Sequence, residues 1–407
     1  MKILQLCKKF PFPLRDGESI AVTYLTRALV DLGCEVTLLT MNTSKHYVHV
    51  EDLPDSFDHY KKIYTVDVDN RVKFGGALAN LFSSKSYHVS RFESRDFEQK
   101  LLEILRNEEF DVVQMETLYL APYINLIKQN SNALIAMRSH NIEFEIWERI
   151  TKQTGFLPKK LYLNHLTNKL RKYELDKLNE YDYLLAISER DLSMFKSLGY
   201  KNGAMATPIG LELNKYHSPS TEENQTICFI GAMDWIPNLE GFQWFINKVW
   251  PLVHAKNPNA QFHVAGRNTP VEILNLQGNG VFIHGEVEDA IEFMGKYDLM
   301  VVPLFSGSGM RVKIIEAMAL SKCIISTSLG AEGIPISDGK NIVITDSEEE
   351  FAEKILSLLQ DTAKRIEIGQ AAKDFALRHY DQKMIAAELM KKYKYIKENG
   401  MYQRKGH

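Results

Sequence analysis

Long apolar runs are what this chain lacks first. No stretch of about 18 apolar residues occurs, so no membrane-spanning helix is expected. Cysteine is scarce as well, with four in 407 residues. Cys7, Cys34, Cys228 and Cys323 are scattered, three of them in or beside apolar strand-like runs. They read as buried free thiols of a reducing compartment, not as a disulfide framework or a zinc site. An excess of charge is missing too: 49 Lys and Arg stand against 52 Asp and Glu, a net charge of −3. That excludes a general nucleic-acid binder and a disordered chain. The apolar opening Met1–Cys7 ends at Lys8 and Lys9, too short for a secretory leader, and a cytoplasmic protein is expected. What remains is an ordinary globular composition, 45% hydrophobic and 25% charged, at a length comfortable for two domains.

Strand and helix signals alternate almost throughout. Ile3–Cys7 is a short apolar run, and Ser19–Leu32 carries apolar residues at helical spacing until Gly33 stops it. Glu35–Thr40 is a new strand, which makes a β-α-β unit and implies a parallel pair. Further strands are expected at Asp111–Glu116, Ala133–Ser139 and Tyr183–Ser188, with helices at Ser94–Asn107, Lys159–Asn179 and Glu189–Leu198. Ser188 and Asp191 form a capping pattern before the last of these. The stretch from Tyr47 to about Phe92 reads as irregular. Thr207–Ser220, with Pro208, Gly210 and Pro219, reads as a linker. Alternation then restarts, with strands expected at Ile227–Gly231, Gln261–Ala265, Val281–His284, Leu299–Leu304, Cys323–Thr327 and Ile342–Thr345. Helices are expected at Leu239–Val249, Asp289–Lys296, Arg311–Ala319, Glu348–Gln360, Ala363–Arg378 and Gln382–Glu398. The pattern implies two doubly wound, Rossmann-like α/β domains, about 1–208 and 213–378. In such folds ligands sit beyond the carboxyl ends of the strands, and a cleft between two facing domains is the default site.

The strongest chemical signal is the segment from Pro303 to Ala319, in which a strand runs into a Gly/Ser loop that opens a helix. Free backbone N–H groups and the positive end of the helix dipole then face one point. Gly307 and Gly309 allow close approach of a ligand. Arg311 and Lys313 oppose the dipole unless an anion is bound. Glu316, about one turn beyond, is placed to accept from the two hydroxyls of a ribose. The plain alternative is an ordinary helix start with Lys313 and Glu316 as a surface pair.

This segment resembles the donor-binding motif of retaining family 4 (group 1) glycosyltransferases, which have the glycosyltransferase B fold. The resemblance extends to Phe229–Asn238, Val264–Arg267, Gly285–Asp289 and Gly330–Gly333. It implies that Val287 and its neighbours receive a nucleobase, that Arg311 and Lys313 hold a diphosphate, with Arg267, Ser308, Gly309 and Met310 beside them, and that Glu316 holds the ribose. It also implies that the final helix, 380–407, packs back on the first domain. Pro11–Ser19, with Gly17, Glu18 and Ser19, looks like the family's glycine loop near the phosphates and the acceptor, although a surface turn explains it equally well. Arg138–Glu143 looks like the segment whose histidine faces the reacting sugar, which makes His140 the catalytic candidate. A histidine at a strand end is otherwise most often structural. Two positions depart from the family. Ser308 stands where a second glutamate is usual, and Ala232 and Met233 stand where many members carry a cation.

The expected activity is transfer of a glycosyl group from a nucleotide sugar to a hydroxyl, with retention and without a cofactor or metal. Surface polysaccharide or glycolipid assembly is its expected setting. Asp67-Val-Asp69 could hold a metal, but a polar strand end is the simpler reading. The other readings are a non-catalytic nucleotide or sugar-phosphate binding protein, supported by Ser308, and a nucleotide-sugar epimerase. Expected partners are the donor and an unknown carbohydrate or lipid-linked acceptor. Lys159–Lys172 mixes cations with Leu and Tyr, and a peripheral contact with the inner face of a membrane is one reading. A solvated helix face is the simpler one.

Overall fold

The computed structural model describes residues 1–400 except 15, 45, 72–79, 81–82, 84, 218–224, 277 and 308–310. Ser308, Gly309 and Met310 therefore lie outside the described residues. The chain forms two compact units. One comprises Met1–Gly210 and the chain from Gln382 onward, and the other Leu211–Asp381.

The first unit is built on a parallel seven-stranded sheet. Its strands are β1 (Lys2–Cys7), β2 (Glu35–Thr43), β3 (Lys62–Val68), β4 (Val112–Met115), β5 (Leu134–Ser139), β6 (Tyr183–Ala186) and β7 (Gly203–Ala206), in the order β3-β2-β1-β4-β5-β6-β7. The reversal of order beside β1 is the switch point at which α/β folds gather ligands. Helices cover both faces, as the near-continuous apolar strands require. On one face Ile3, Val36, Leu38 and Leu134 pack with Val22, Leu25 and Leu29 of the helix Gly17–Asp31. The same cluster takes in Ile385, Leu389, Tyr393 and Ile396 of the final helix, Gln382–Glu398. On the other face Leu4, Leu6, Val113 and Ile135 pack with Phe97, Leu101 and Ile104 of the helix Arg95–Asn107.

The second unit repeats the plan with six parallel strands. These are β8 (Thr226–Ile230), β9 (Gln261–Ala265), β10 (Val281–Gly285), β11 (Leu299–Val302), β12 (Cys323–Ser326) and β13 (Val343–Ile344), in the order β10-β9-β8-β11-β12-β13. Its core joins Ile227, Phe229 and Val301 to Phe245, Trp250, Phe262 and Phe351.

Several sequence expectations need correction. The region from Tyr47 to Phe92 contains β3, which pairs with β2 over seven residues from Lys62 to Val68. Asp67 lies near its end, as the strand-end reading of Asp67-Val-Asp69 expects, while the rest of the strand was not read. β7 and the helices Ile124–Asn130 and Glu143–Gln153 went unread. The helix expected at Leu239–Val249 begins earlier, at Ile236, and widens to a π turn at Phe245–Val249 before Trp250–Lys256. Pro251 has no N–H to give the carbonyl four residues back, and the turn before it loosens. Ser188 does cap its helix, accepting from the Asp191 N–H at 3.1 Å. All four cysteines are buried free thiols. Among the described residues no helix is long and apolar enough to cross a membrane.

Candidate functional site

In the second unit the described donor candidates lie in the segments that follow β9, β10 and β11. Arg311 is the residue just before the helix Val312–Ala319, one position outside the helix expected at Arg311–Ala319. No side chain at that cap position accepts from the first-turn amides, and the Ile314 N–H donates to the Arg311 carbonyl at 2.9 Å; a helix start of this kind favours an anion. The Arg311 guanidinium is buried, lies 5.3 Å over the Trp235 ring and reaches the Ser306 carbonyl at 3.5 Å. Gly307 has φ +95°, and a Cβ there would meet Trp235, Pro237 and Arg311 at 3.1–3.2 Å. A left-handed residue without a side chain is what lets the loop turn so close to the guanidinium.

Lys313 does not form the surface pair with Glu316. Its ammonium points inward to the Ile230 carbonyl at the end of β8, at 2.9 Å, and to Asn238 Oδ1 at 3.0 Å. Asn238 is fixed in turn by donating to the Ala232 carbonyl at 2.9 Å. Burial, and then the nearby Arg311, push the Lys313 pKa down to about 7. Among the described residues its hydrogen-bond partners are these two neutral acceptors, and the ammonium also lies 5.1 Å over the Phe229 ring. Glu316 instead accepts from the Tyr216 hydroxyl at 3.3 Å. Burial, together with Asp289, raises its pKa above the usual carboxylate range. Asn238 and Tyr216 are partners that sequence reading assigned no role. Asn238 stands inside a quoted motif, whereas nothing local marks Tyr216.

Arg267 is exposed in the loop after β9, where its carbonyl accepts from the Met233 N–H at 2.9 Å. Val287 is half-buried in the loop after β10. Gly231 after β8 and Gly266 after β9 pack by backbone, because a Cβ on Gly266 would lie 2.0 Å from the Gly231 carbonyl oxygen.

The first unit concentrates charge at the ends of β1, β4 and β5. Glu116, just beyond β4, is fully buried and accepts from Gln5 Nε2 at 2.6 Å and from Gln114 Nε2 at 2.5 Å. His140 Nε2 lies 3.1 Å from its Oε2, and Arg138 Nη1 lies 3.6 Å from the same oxygen. Burial would raise the Glu116 pKa, but Arg138 and His140 hold it below the usual range. Glu116 is therefore a fixed anion that orients His140. Beside it Asp16 caps the Gly17–Asp31 helix by accepting from the Ser19 N–H at 3.0 Å. Gly17 is exposed, Glu18 half-buried and Ser19 buried. Glu18 pairs with Lys8 at 3.3 Å and Lys9 at 3.7 Å. Lys8 lies over the Tyr119 ring, and Tyr119 donates to Glu143 at 2.9 Å. In sequence Lys8 shows only as the charged end of the opening apolar run, Glu116 is an acid with no paired spacing that marks hydrolysis, and Tyr119 stands in no motif.

The pair Asp67 and Asp69 is engaged elsewhere. Asp67, inside β3, accepts from Tyr47 at 3.4 Å, and Asp69 pairs with Arg71 at 2.8 Å.

Two tandem doubly wound units, with an anion-receptive helix start in the second, define the glycosyltransferase B class. The family model for "Glycosyl transferases group 1" matches residues 224–361. Over those residues the chain carries a group 1 glycosyltransferase domain. An uncharacterized 44.6 kDa protein in the cps region of Klebsiella pneumoniae is 23% identical over 401 residues, covering 96% of this chain and 99% of its own. Phosphatidyl-myo-inositol mannosyltransferase of Mycolicibacterium smegmatis is 24% identical over 187 residues, 44% of this chain and 47% of that one. The crystal structure of Anabaena HepE in complex with UDP superposes with a TM-score of 0.63 at 15% identity, covering 97% of this chain and all of that one.

Proposed function

We propose that this glycosyltransferase takes its sugar from a nucleoside-diphosphate donor and passes it to a hydroxyl with retention at the anomeric carbon. The carrying observation is the arrangement at the start of the Val312–Ala319 helix. Arg311 and Lys313 stand beside uncapped amides, and Glu316 stands one turn further on. The cations and amides suit the departing diphosphate, so no metal is needed for its charge. Glu316 suits the ribose hydroxyls, and Val287 with its neighbours the base. His140, oriented by Glu116, is proposed to face the reacting sugar, with Gly17, Glu18 and Ser19 towards the phosphates and acceptor. The UDP bound to HepE makes uridine nucleotides the first to test. The cps-region relative supports a surface polysaccharide or glycolipid acceptor.

Calorimetry with UDP and with uridine tests the reading. Charge-assisted hydrogen bonds contribute about 1.5–3 kcal/mol each. Arg311→Ala or Lys313→Ala is expected to weaken UDP about ten- to a hundred-fold, while uridine affinity hardly changes. Glu316→Gln is expected to weaken both ligands. If Lys313→Ala and Glu316→Gln both leave UDP affinity intact while native protein binds UDP, this helix is not the donor site. Donor turnover without any acceptor would favour an epimerase.

A further inference from the structure

We infer that the turn joining the helices Glu143–Gln153 and Leu157–Lys177 is a docking tip for an anionic phospholipid surface. The apolar evidence is local and dense. Phe156, Leu157 and Leu161 expose 68%, 64% and 63% of their surface, among the most exposed large apolar side chains described. They lie within six residues of one another, and Leu157 and Leu161, four apart, share a helix face. The core-facing stripe of the same helix is elsewhere, at Leu163, Leu166, Leu170 and Glu174. The three exposed side chains are therefore not a frayed edge of the core.

The charge around them has one sign. Between Glu148 and Glu174 the sequence carries seven Lys or Arg and no Asp or Glu, in a chain whose net charge is −3. Some of these cations are used within the fold: Arg171 pairs with Glu148 and Lys172 with Asp176. Lys152, Lys159 and Lys160 are exposed and make no ion pair among the described residues. Those three flank the apolar tip. Lysines beside exposed Phe and Leu at a helix start match a bilayer interface, where the apolar groups enter the headgroup boundary and the ammonium groups stay with lipid phosphates. A protein partner fits less well. Three apolar side chains and three lysines fall far short of the roughly 20–30 residues a side of a stable protein interface. The inference is independent of the donor reading, because this tip and the Arg311–Glu316 region lie in different units.

Co-sedimentation of the full chain with vesicles tests it. At low ionic strength the native protein is expected to bind vesicles of phosphatidylglycerol and phosphatidylcholine in equal parts, and to bind pure phosphatidylcholine weakly. Added salt is expected to release it. Phe156→Ser, Leu157→Ser and Leu161→Ser together are expected to reduce binding about tenfold or more. Lys159→Glu with Lys160→Glu should do the same. Both variants change exposed side chains, and each is expected to keep the native circular dichroism. If the apolar variant unfolds, the lysine variant carries the test. Failure of the native protein to bind overturns the inference. So does equal binding to the two vesicle types, or unaltered binding by the folded variants. Self-association that the apolar variant abolishes also overturns it, since the tip would then join two copies of this chain.

Discussion

At the scale of single residues, two buried charges carry the sharpest consequences. Lys313 has a pKa of about 7 because its ammonium is buried beside Arg311. A bound diphosphate favours the charged form and should raise that pKa. Above pH 7, binding must therefore draw a proton from solvent. UDP affinity is expected to fall as pH rises from about 7 to 9. Calorimetry in buffers of different ionisation enthalpy should show proton uptake near pH 8, and Lys313→Met should show none. The second charge is Glu116, the counter-ion of a fully buried Arg138. Removing one partner of such a pair leaves the other uncompensated, which typically costs about 3–5 kcal/mol. Glu116→Gln is expected to lower unfolding free energy by that order in urea titration. A loss under about 1 kcal/mol would mean that Arg138 is held mainly by its bond to the Ala21 carbonyl at 2.8 Å.

At the scale of elements, the helix Glu143–Gln153 is started from a distance. Its cap residue, Ile142, has no side-chain acceptor. Glu174, far along the next helix, supplies both oxygens instead, accepting from the Glu143 N–H at 3.2 Å and the Phe144 N–H at 3.0 Å. Burial, with Glu143 nearby, raises the Glu174 pKa to about 8. Its folded pKa thus lies above its unfolded value, so the folded state holds more protons between about pH 4.5 and 8. This group's contribution is full at the acid end of that window and is lost as pH rises towards 8. Glu174→Gln is expected to flatten the decline of Tm over that range. An unchanged slope would show that another group is responsible. The sequence did carry a signal for this residue. Glu174 lies on the same stripe as Leu163, Leu166 and Leu170, where an acid has no reason to be unless it is bonded.

At the scale of the whole molecule, the chain crosses between its units twice, at Gly210–Leu211 and at Asp381–Gln382. A Cβ on Gly210 would come within 2.5 Å of the Gln382 Cα, so the two crossing segments touch by backbone. The helix Gln382–Glu398 then completes the first unit from the far end of the sequence. Leu389 and Tyr393 are almost fully buried there, and Tyr393 donates to Gln114 at 3.0 Å. Leu389→Ala leaves a cavity that typically costs about 2–5 kcal/mol. In calorimetric melting the transition of the first unit is expected to shift down while that of the second stays. A shift of both together would mean that the units melt as one cooperative body.

Strand and helix order was readable locally, because parallel strands buried on both faces are short apolar runs and helices repeat every 3.6 residues. The doubly wound fold followed from that alternation. At β3, where polar residues alternate with apolar ones, only the strand end at Asp67 was readable. The sequence by itself also marked Arg311, Lys313 and Glu316 as a cluster, since a loop and one helix turn bring them close. Tertiary structure alone decided the direction of each side chain. Lys313 turned to the end of β8, and Glu316 met Tyr216, one hundred positions away. His140 met Glu116 across two neighbouring strand ends. Burial and neighbouring charge, which push the Lys313 pKa down and the Glu316 pKa up, depend on what surrounds a group in three dimensions, and chain spacing does not record it.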